Sequence, residues 1–297
     1  MRRSATFIMK PLNVMAVFLS KFISRIFLWR EFLRSLRGLS FKGQINIFIS
    51  ALFDIFFHSI SGWAYNPKML LSGIYEIKPY RILIYARGNT EDLYCALPRR
   101  EGDVHDFILD NLKPGDIFID VGANIGYYTI LASKHVGATG KVFAVEPVPQ
   151  TVEVLKFNIK LNGLRNVTVI DKAAWNSYCK LKMKIAFGEF GCASFFRNGV
   201  EVDVSAIPLD GVLADVPKIK LIKVDVEGAE YEVLQGLKQT LIRTEYVVLE
   251  LSRKVNECLK LLKECCFTCE KMKFTSYYVC CKAQSSGCRE YDVWETR

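Results

Sequence analysis

Six carboxylates stand at or just past the ends of short apolar runs: Asp120 in "DIFIDVGANIG", Glu146 in "VFAVEP", Asp171 in "VTVID", Asp225 and Glu227 in "LIKVDVEG", and Glu250 in "VVLELS". If those runs are strands of one sheet, the acids collect at one edge, where an open α/β sheet binds its ligand. Gly122 and Gly126 would let a ligand approach the backbone where a helix begins. A dinucleotide fingerprint needs G-x-G-x-x-G, but the third position here is Asn124 and the sixth is Tyr127. An acidic cleft also disfavours a phosphate-rich ligand. It suits a ribose joined to a positive centre such as a sulfonium. Glu146 follows Gly122 by 24 positions, where an acid can take both ribose hydroxyls, and Asp171 could receive an exocyclic amine. A proton acceptor must come from Asp225 or Glu227, with Lys223 able to orient a carboxylate, because His58, His105 and His135 all lie outside these segments. Each acid also has an ordinary structural reading: Asp120 as a turn acid, Glu146 as an exposed strand-end acid, Glu250 as a partner of Arg253 or Lys254, and Glu227 and Glu230 as helix caps.

The elements that would position these residues alternate between the periods of strand and helix. Strands are expected at "DIFIDV", "GKVFAVEP", "NVTVIDKAA", "IKLIKVDVEG" and "EYVVLELS", and helices at Gly126–His135, Gln150–Asn162, from Tyr231 and at Lys254–Cys266. "KMKF" and "SYYVCCK" read as a closing hairpin, Leu181–Phe187 and Val200–Ile207 as short strands, and Phe187–Gly199 between them as a lid loop. Ahead of this series, "RILIYARGNTEDLYCAL" reads as two strands around a Gly-Asn turn, and "HDFILDNL" as helical. The expected class is α/β, with a mostly parallel sheet covered on both faces and one antiparallel strand added by the hairpin. The expected organisation is a helical arm over 1–65, a lead-in hairpin and helix over 66–112, and the main domain over 113–297.

Three segments together, "FIDVGANIGYYTILAS", "VFAVEPVPQ" and "LIKVDVEGAEYEVLQG", resemble the motifs of the FkbM-type S-adenosylmethionine-dependent methyltransferases. The likeness covers roughly residues 100–251. It implies a Rossmann-like class I methyltransferase fold with a seven-stranded sheet. It also implies that Asp120, Gly122, Asn124 and Gly126 hold the methionine part of the cofactor, Glu146 its ribose, and Asp171 the adenine side. Members of that family are mostly associated with O-methylation of sugar or natural-product hydroxyls. The expected acceptor is accordingly a hydroxyl of a sugar, a lipid-linked glycan or a small metabolite. A nucleic-acid methyltransferase, an RNA-binding module or a non-catalytic cofactor-binding protein are the alternatives. No "DPPY"-like segment follows the fourth strand, and no metal-ligating set is read from the sequence.

The net charge is +9, and residues 1–45 carry nine basic side chains against one acid, Glu31. The rest of the chain is therefore close to neutral, and an anionic partner is expected for the arm alone. In "INIFISALFDIFFHSIS", Asn46, Ser50, Asp54 and His58 recur every four residues, opposite Ile45, Phe48, Ile49, Leu52, Phe56 and Ile60. Such a helix either packs its apolar face on the main domain, lies in a membrane interface over residues 1–60, or spans the bilayer. The expected location is cytoplasmic and peripheral at a membrane. Of ten cysteines, seven fall between Cys258 and Cys288, without paired C-x-x-C spacing. A reduced state is the default expectation, and two adjacent strand cysteines could not both reach one partner strand's face.

Overall fold

The structure, a computed structural model, describes residues 9–61, 66–186, 189–196, 198–275 and 277–284. The chain divides into two compact units, Met1–Leu97 and Pro98–Arg297.

The first unit holds α1 (Met9–Ser35), β1 (Leu36–Gly38), α2 (Phe41–Ser61), β2 (Gly73–Ile77), β3 (Ile82–Ala86) and α3 (Asp92–Cys95). The three strands form an antiparallel sheet in the order β1-β2-β3. Only Ile82–Ala86 of the expected hairpin is a strand, and its partner is Gly73–Ile77 rather than the segment after Gly88-Asn89. The reason is Asp92, whose carboxylate accepts hydrogen bonds from the Arg87 backbone N–H and guanidinium at 2.8–3.0 Å and so draws the chain into a helical turn.

The polar stripe of α2 faces inward. Asn46, Ser50 and Asp54 are buried. The Asp54 carboxylate accepts the Trp29 indole N–H at 2.7 Å and pairs with the Arg25 guanidinium at 3.1 Å. Asn46 and Ser50 bond the backbone of Leu70 and Leu71. Phe48, Leu52 and Phe56 are 57%, 56% and 54% exposed.

The second unit carries α4 (Gly102–Asn111), β4 (Ile117–Val121), α5 (Tyr127–Val136), β5 (Lys141–Val145), α6 (Pro149–Leu161), β6 (Val167–Ile170), β7 (Ala173–Ala174), β8 (Cys179–Ala186), β9 (Glu189–Ser194), β10 (Val200–Ile207), α7 (Leu209–Val212), β11 (Ile219–Val224), α8 (Glu230–Gln235), α9 (Lys238–Leu241), β12 (Thr244–Glu250), α10 (Val255–Glu264), β13 (Phe267–Lys271) and β14 (Tyr278–Ala283). Seven strands form the central sheet in the order β13-β14-β12-β11-β4-β5-β6. β14 runs antiparallel to β12, as a closing hairpin requires. Strand order reverses between β4 and β11, so the crevice opens beyond Val121 and Val224. Alternate residues serve opposite faces. Ile119, Val145, Ile222 and Leu249 pack with Val233 of α8 and Leu261 of α10, while Phe118, Val142, Leu221 and Val248 pack with Ile108 of α4 and Ala132 of α5.

Two expectations are corrected. The hairpin's first strand is Phe267–Lys271, in register with Lys271↔Val279, and "KMKF" supplies its end and the turn. The segment after β6 does not continue as one strand. β7 leaves the central sheet and joins β10, β8 and β9 in a separate four-stranded sheet. The expected lid loop is therefore largely strand β9, while residues 187, 188 and 197 lie outside the described residues. Across β13 and β14, Cys269 bridges Cys281, and Cys280 lies on the alternate face.

Asp54→Ala removes the carboxylate that the buried Arg25 guanidinium and Trp29 N–H share, and removing one partner of a buried pair costs about 3–5 kcal/mol. A lowered midpoint for the unfolding of the first unit is expected in thermal or denaturant melts, and an unchanged midpoint contradicts the pairing.

Candidate active site

An open cleft lies at the carboxyl ends of β4, β5 and β11. Gly122, Asn124 and Glu146 line one side, Asp225 and Glu227 another, and Met183 of β8 and Phe195 after β9 contribute an apolar wall. No Lys or Arg is among the described lining residues.

The glycine loop is built by close packing. Gly122 has φ +85°, and a Cβ there would sit 1.8 Å from the Asp225 carbonyl oxygen, so no other residue fits between the ends of β4 and β11. The N–H groups of Gly122 and Ala123 both donate to the Val145 carbonyl. Asn124, itself left-handed at φ +49°, donates its N–H to Glu146 Oε2 at 2.9 Å. Glu146 Oε1 accepts the Val148 N–H at 3.0 Å. Two neutral backbone donors thus aim the carboxylate at the cleft. The Asn124 Oδ1 is buried without a hydrogen-bond partner, a buried acceptor that a ligand amine or hydroxyl would satisfy.

Gly126 caps α5 at φ +97° and packs on Leu155, behind the lining. Asp120 is also behind it. Its Oδ2 accepts the Thr129 hydroxyl at 2.6 Å, its Oδ1 is unpartnered, and burial pushes its carboxyl up against the opposing pull of Lys223. Asp171 is not brought to the cleft. It is 55% exposed at the end of β6 and faces Lys156 at 3.5 Å and Lys172 at 3.9 Å.

The other half of the site centres on Lys223, paired with Asp120 on β4 by strand register. Lys223 is 2% exposed and donates to Asp225 Oδ2 at 2.9 Å. Burial disfavours its ammonium, but Asp225, Asp120 and Glu101 outweigh that and hold its pKa above the ordinary lysine value. Its ammonium also lies 4.9 Å from the centre of the Tyr128 ring, a cation–π distance. Tyr128 in turn donates its hydroxyl to Glu101 at 3.0 Å.

Asp225 Oδ2 also accepts the Tyr278 hydroxyl at 2.6 Å. Although burial opposes it, Lys223 and these hydrogen bonds hold the Asp225 carboxyl well below the carboxylate range. Glu250 behaves oppositely. Burial and the neighbouring Asp225 charge push it up to about 10, so at neutral pH it keeps its proton and shares it with Asp225. Carboxylate oxygens of Asp225, Glu227 and Glu250 all lie within 4.8 Å of one another. Glu227 holds φ +52°, an uncommon conformation for a side chain of its kind, and its carbonyl accepts the Ser194 hydroxyl at 2.7 Å.

Sequence reasoning named Asp120, Gly122, Asn124, Gly126, Glu146, Asp171, Asp225 and Glu227, with Lys223 to orient a carboxylate; of these, Gly122, Asn124, Glu146, Asp225 and Glu227 line the cleft. It missed Tyr278, Tyr128 and Glu101. Tyr278 is brought to the site by the hairpin register, directly opposite Glu250.

The fold and this cleft define a class I S-adenosylmethionine-dependent methyltransferase. The model of the Methyltransferase FkbM domain matches residues 120–269, half of the chain, and the protein belongs to that family. Hexuronic acid methyltransferase AglP from Haloferax volcanii is 29% identical over 172 residues, 56% of this chain and 69% of AglP. Methyltransferase 1 from Beauveria bassiana is 33% identical over 150 residues, 42% of this chain and 59% of its own length. The 31-O-demethyl-FK506 methyltransferase FkbM from Streptomyces tacrolimicus is 29% identical over 161 residues, 43% of this chain and 61% of its own length. Against the last two, the chain spans less than two thirds of the relative. Among solved structures, an S-adenosylmethionine-dependent O-methyltransferase from Thermotoga maritima overlaps 74% of this chain and 79% of its own at 16% identity, with a TM-score of 0.43.

Glu250 sets a pH dependence with a definite sign. Its folded pKa, about 10, lies above its ordinary value of 4.5. The folded state therefore keeps a proton that the unfolded chain releases, and stability falls as pH rises between those values. Glu250→Gln removes the titrating group while keeping a donor for Asp225. A flatter dependence of melting temperature on pH, and a higher melting temperature than wild type near about pH 9, are expected. Parallel profiles contradict the assignment.

Proposed function

We propose that the protein transfers the methyl group of S-adenosylmethionine to a hydroxyl of a sugar, a lipid-linked glycan or a small metabolite, and that it works at an anionic membrane surface contacted through residues 1–60. The observation that carries the chemical reading is the acid-lined cleft against the Gly122–Asn124 loop, with no Lys or Arg among its described lining residues. Such a lining disfavours nucleic acid and polyphosphate ligands, whose recognition needs basic groups. It tolerates a sulfonium. The hexuronic acid named for AglP supports a sugar as one acceptor class. A cytoplasmic, peripheral enzyme fits this reading.

In this assignment the backbone around Gly122 and Asn124 receives the methionine part of the cofactor, and Glu146 takes the ribose hydroxyls. Asp120 and Gly126 act from behind by fixing the loop. Asp171 would serve the adenine side only across the exposed edge of β6. Bound S-adenosylmethionine supplies a methyl carbon already activated toward in-line attack. The protein's task is then to position the acceptor oxygen and remove its proton. Asp225 is a weak proton acceptor, because Lys223, Tyr278 and the Glu250 proton already hold it in its ionised form. Its role is to orient the acceptor hydroxyl. Glu227, which lines the cleft with a carboxylate oxygen within 4.8 Å of that of Asp225, takes the proton as the oxygen attacks.

Calorimetry should find S-adenosylmethionine or its demethylated product bound, with Glu146→Ala weakening it by about 1.5–3 kcal/mol, roughly tenfold or more. Equal affinity in the variant, or none in the wild type, removes the assignment. With an acceptor taken from a metabolite extract, Glu227→Gln is expected to lower turnover by about 10²–10⁴ while cofactor affinity holds. Unaltered turnover would return the proton to Asp225 or to solvent.

A further inference from the structure

The first unit carries its amphipathic pattern in reverse. In a helix packed for water, the apolar stripe turns inward and the polar stripe outward. In α2 the polar stripe is buried and hydrogen-bonded, with Asn46, Ser50 and Asp54 each 4% exposed or less. The apolar stripe of Phe41, Ile45, Phe48, Leu52, Phe56 and Ile60 points out, each between 39% and 82% exposed. The α1 helix repeats this. Arg25 and Trp29 turn in toward Asp54, while Met15, Leu19, Ile23 and Phe27 are 46–62% exposed. A face of this extent is far beyond the scattered apolar residues of an ordinary surface. The inversion is fixed by the buried Arg25–Asp54–Trp29 cluster, which cannot be turned toward water without losing its packing.

The charge beside that face is positive. Along α1 the exposed stripe of Ile23 and Phe27 continues into Arg30 and Arg34, and Arg37 and Lys42 flank the hairpin turn, all four exposed. Two acids lie beside this rim, Glu31 at 3.5 Å from Arg34 and Glu76 at 4.0 Å from Arg37, against four exposed basic side chains. An apolar face ending in a basic rim matches acyl chains bordered by anionic headgroups.

The same contacts decide how the hairpin sits. By length and composition, Phe41–Ile60 could cross a bilayer. Its inner face, however, is tied to polar backbone. Asn46 and Ser50 bond Leu70 and Leu71, and β1 at the hairpin turn pairs with β2. A crossing helix would carry these strands and loop backbones into hydrocarbon, where irregular and edge backbone groups go unsatisfied.

Building on the membrane reading above, we infer that the α1–α2 hairpin lies flat in one leaflet of an anionic bilayer, with its outer apolar face among the acyl chains and Arg30, Arg34, Arg37 and Lys42 at the headgroup phosphates. The test is flotation of the full-length protein with phosphatidylcholine vesicles, with and without phosphatidylglycerol. Three variants accompany the wild type: Phe48→Glu with Phe56→Glu, Arg34→Gln with Lys42→Gln, and Ser40→Cys. Unchanged circular dichroism and cofactor binding check that each remains folded. Wild type should float with the anionic vesicles, and the double Glu variant should not. The double Gln variant should lose roughly thirty-fold in affinity, from about 1 kcal/mol per basic residue. A membrane-impermeant maleimide added outside should label position 40 of the bound protein, as read by mass spectrometry. Failure of the wild type to float overturns both the membrane reading and this inference. Flotation that survives the double Glu change overturns the inference alone. Protection of position 40 that detergent removes means a crossing hairpin and also overturns it.

Discussion

The site depends on one buried cation. Lys223 lies on the strand beside Asp120, and its ammonium is enclosed by Asp120, Asp225 and Glu101 and by the faces of Tyr128 and Tyr278. A lone buried ammonium would lose its proton, and lone buried carboxylates would gain one. Together they keep Asp225 ionised at the mouth of the cleft while Glu250 stays neutral beside it. The register of β4 against β11 sets Lys223 beside Asp120, and Gly122 permits it by leaving room for the Asp225 carbonyl. The reversal of strand order, the glycine loop and the acidic cluster are therefore one construction.

That construction divides the labour of the cleft. The β4 and β5 ends present a short loop and one aimed carboxylate, which suit a ribose and a positive centre. The β11 and β12 ends present carboxylates in different protonation states. Environments that push neighbouring acids apart in this way mark where proton transfer is organised. The small sheet of β7–β10 closes the apolar side through Met183 and Phe195.

Much of this was legible in the sequence because the strands are short apolar runs, each ending in an acid at the edge where ligands bind. Glu146, Asp225 and Glu227 followed from that pattern, Gly122 from the glycine spacing, and the role of Asn124 from the family resemblance. Asp171 met the same pattern but lies on an edge strand, where its carboxylate turns to Lys156 and Lys172 instead. Tyr278 and Glu101 were hidden because their partners are distant in sequence and joined only by sheet register and helix packing. In α2, periodicity identified the two stripes but carried no information on which one faces protein. That was settled by Arg25 and Trp29, on a helix whose sequence gives no hint of its rotation toward Asp54. The supposed lid became strand β9 because β8 had unpaired edge groups for it to meet.

The most direct measurement is nuclear magnetic resonance of the product formed from S-adenosylmethionine carrying a ¹³C-labelled methyl group, with the intact protein and a glycan- and metabolite-bearing extract. A labelled methyl on oxygen, absent when Glu227→Gln replaces the wild type, is the result this account predicts. A labelled methyl on nitrogen or carbon, or an equal O-methyl signal from Glu227→Gln, would contradict it.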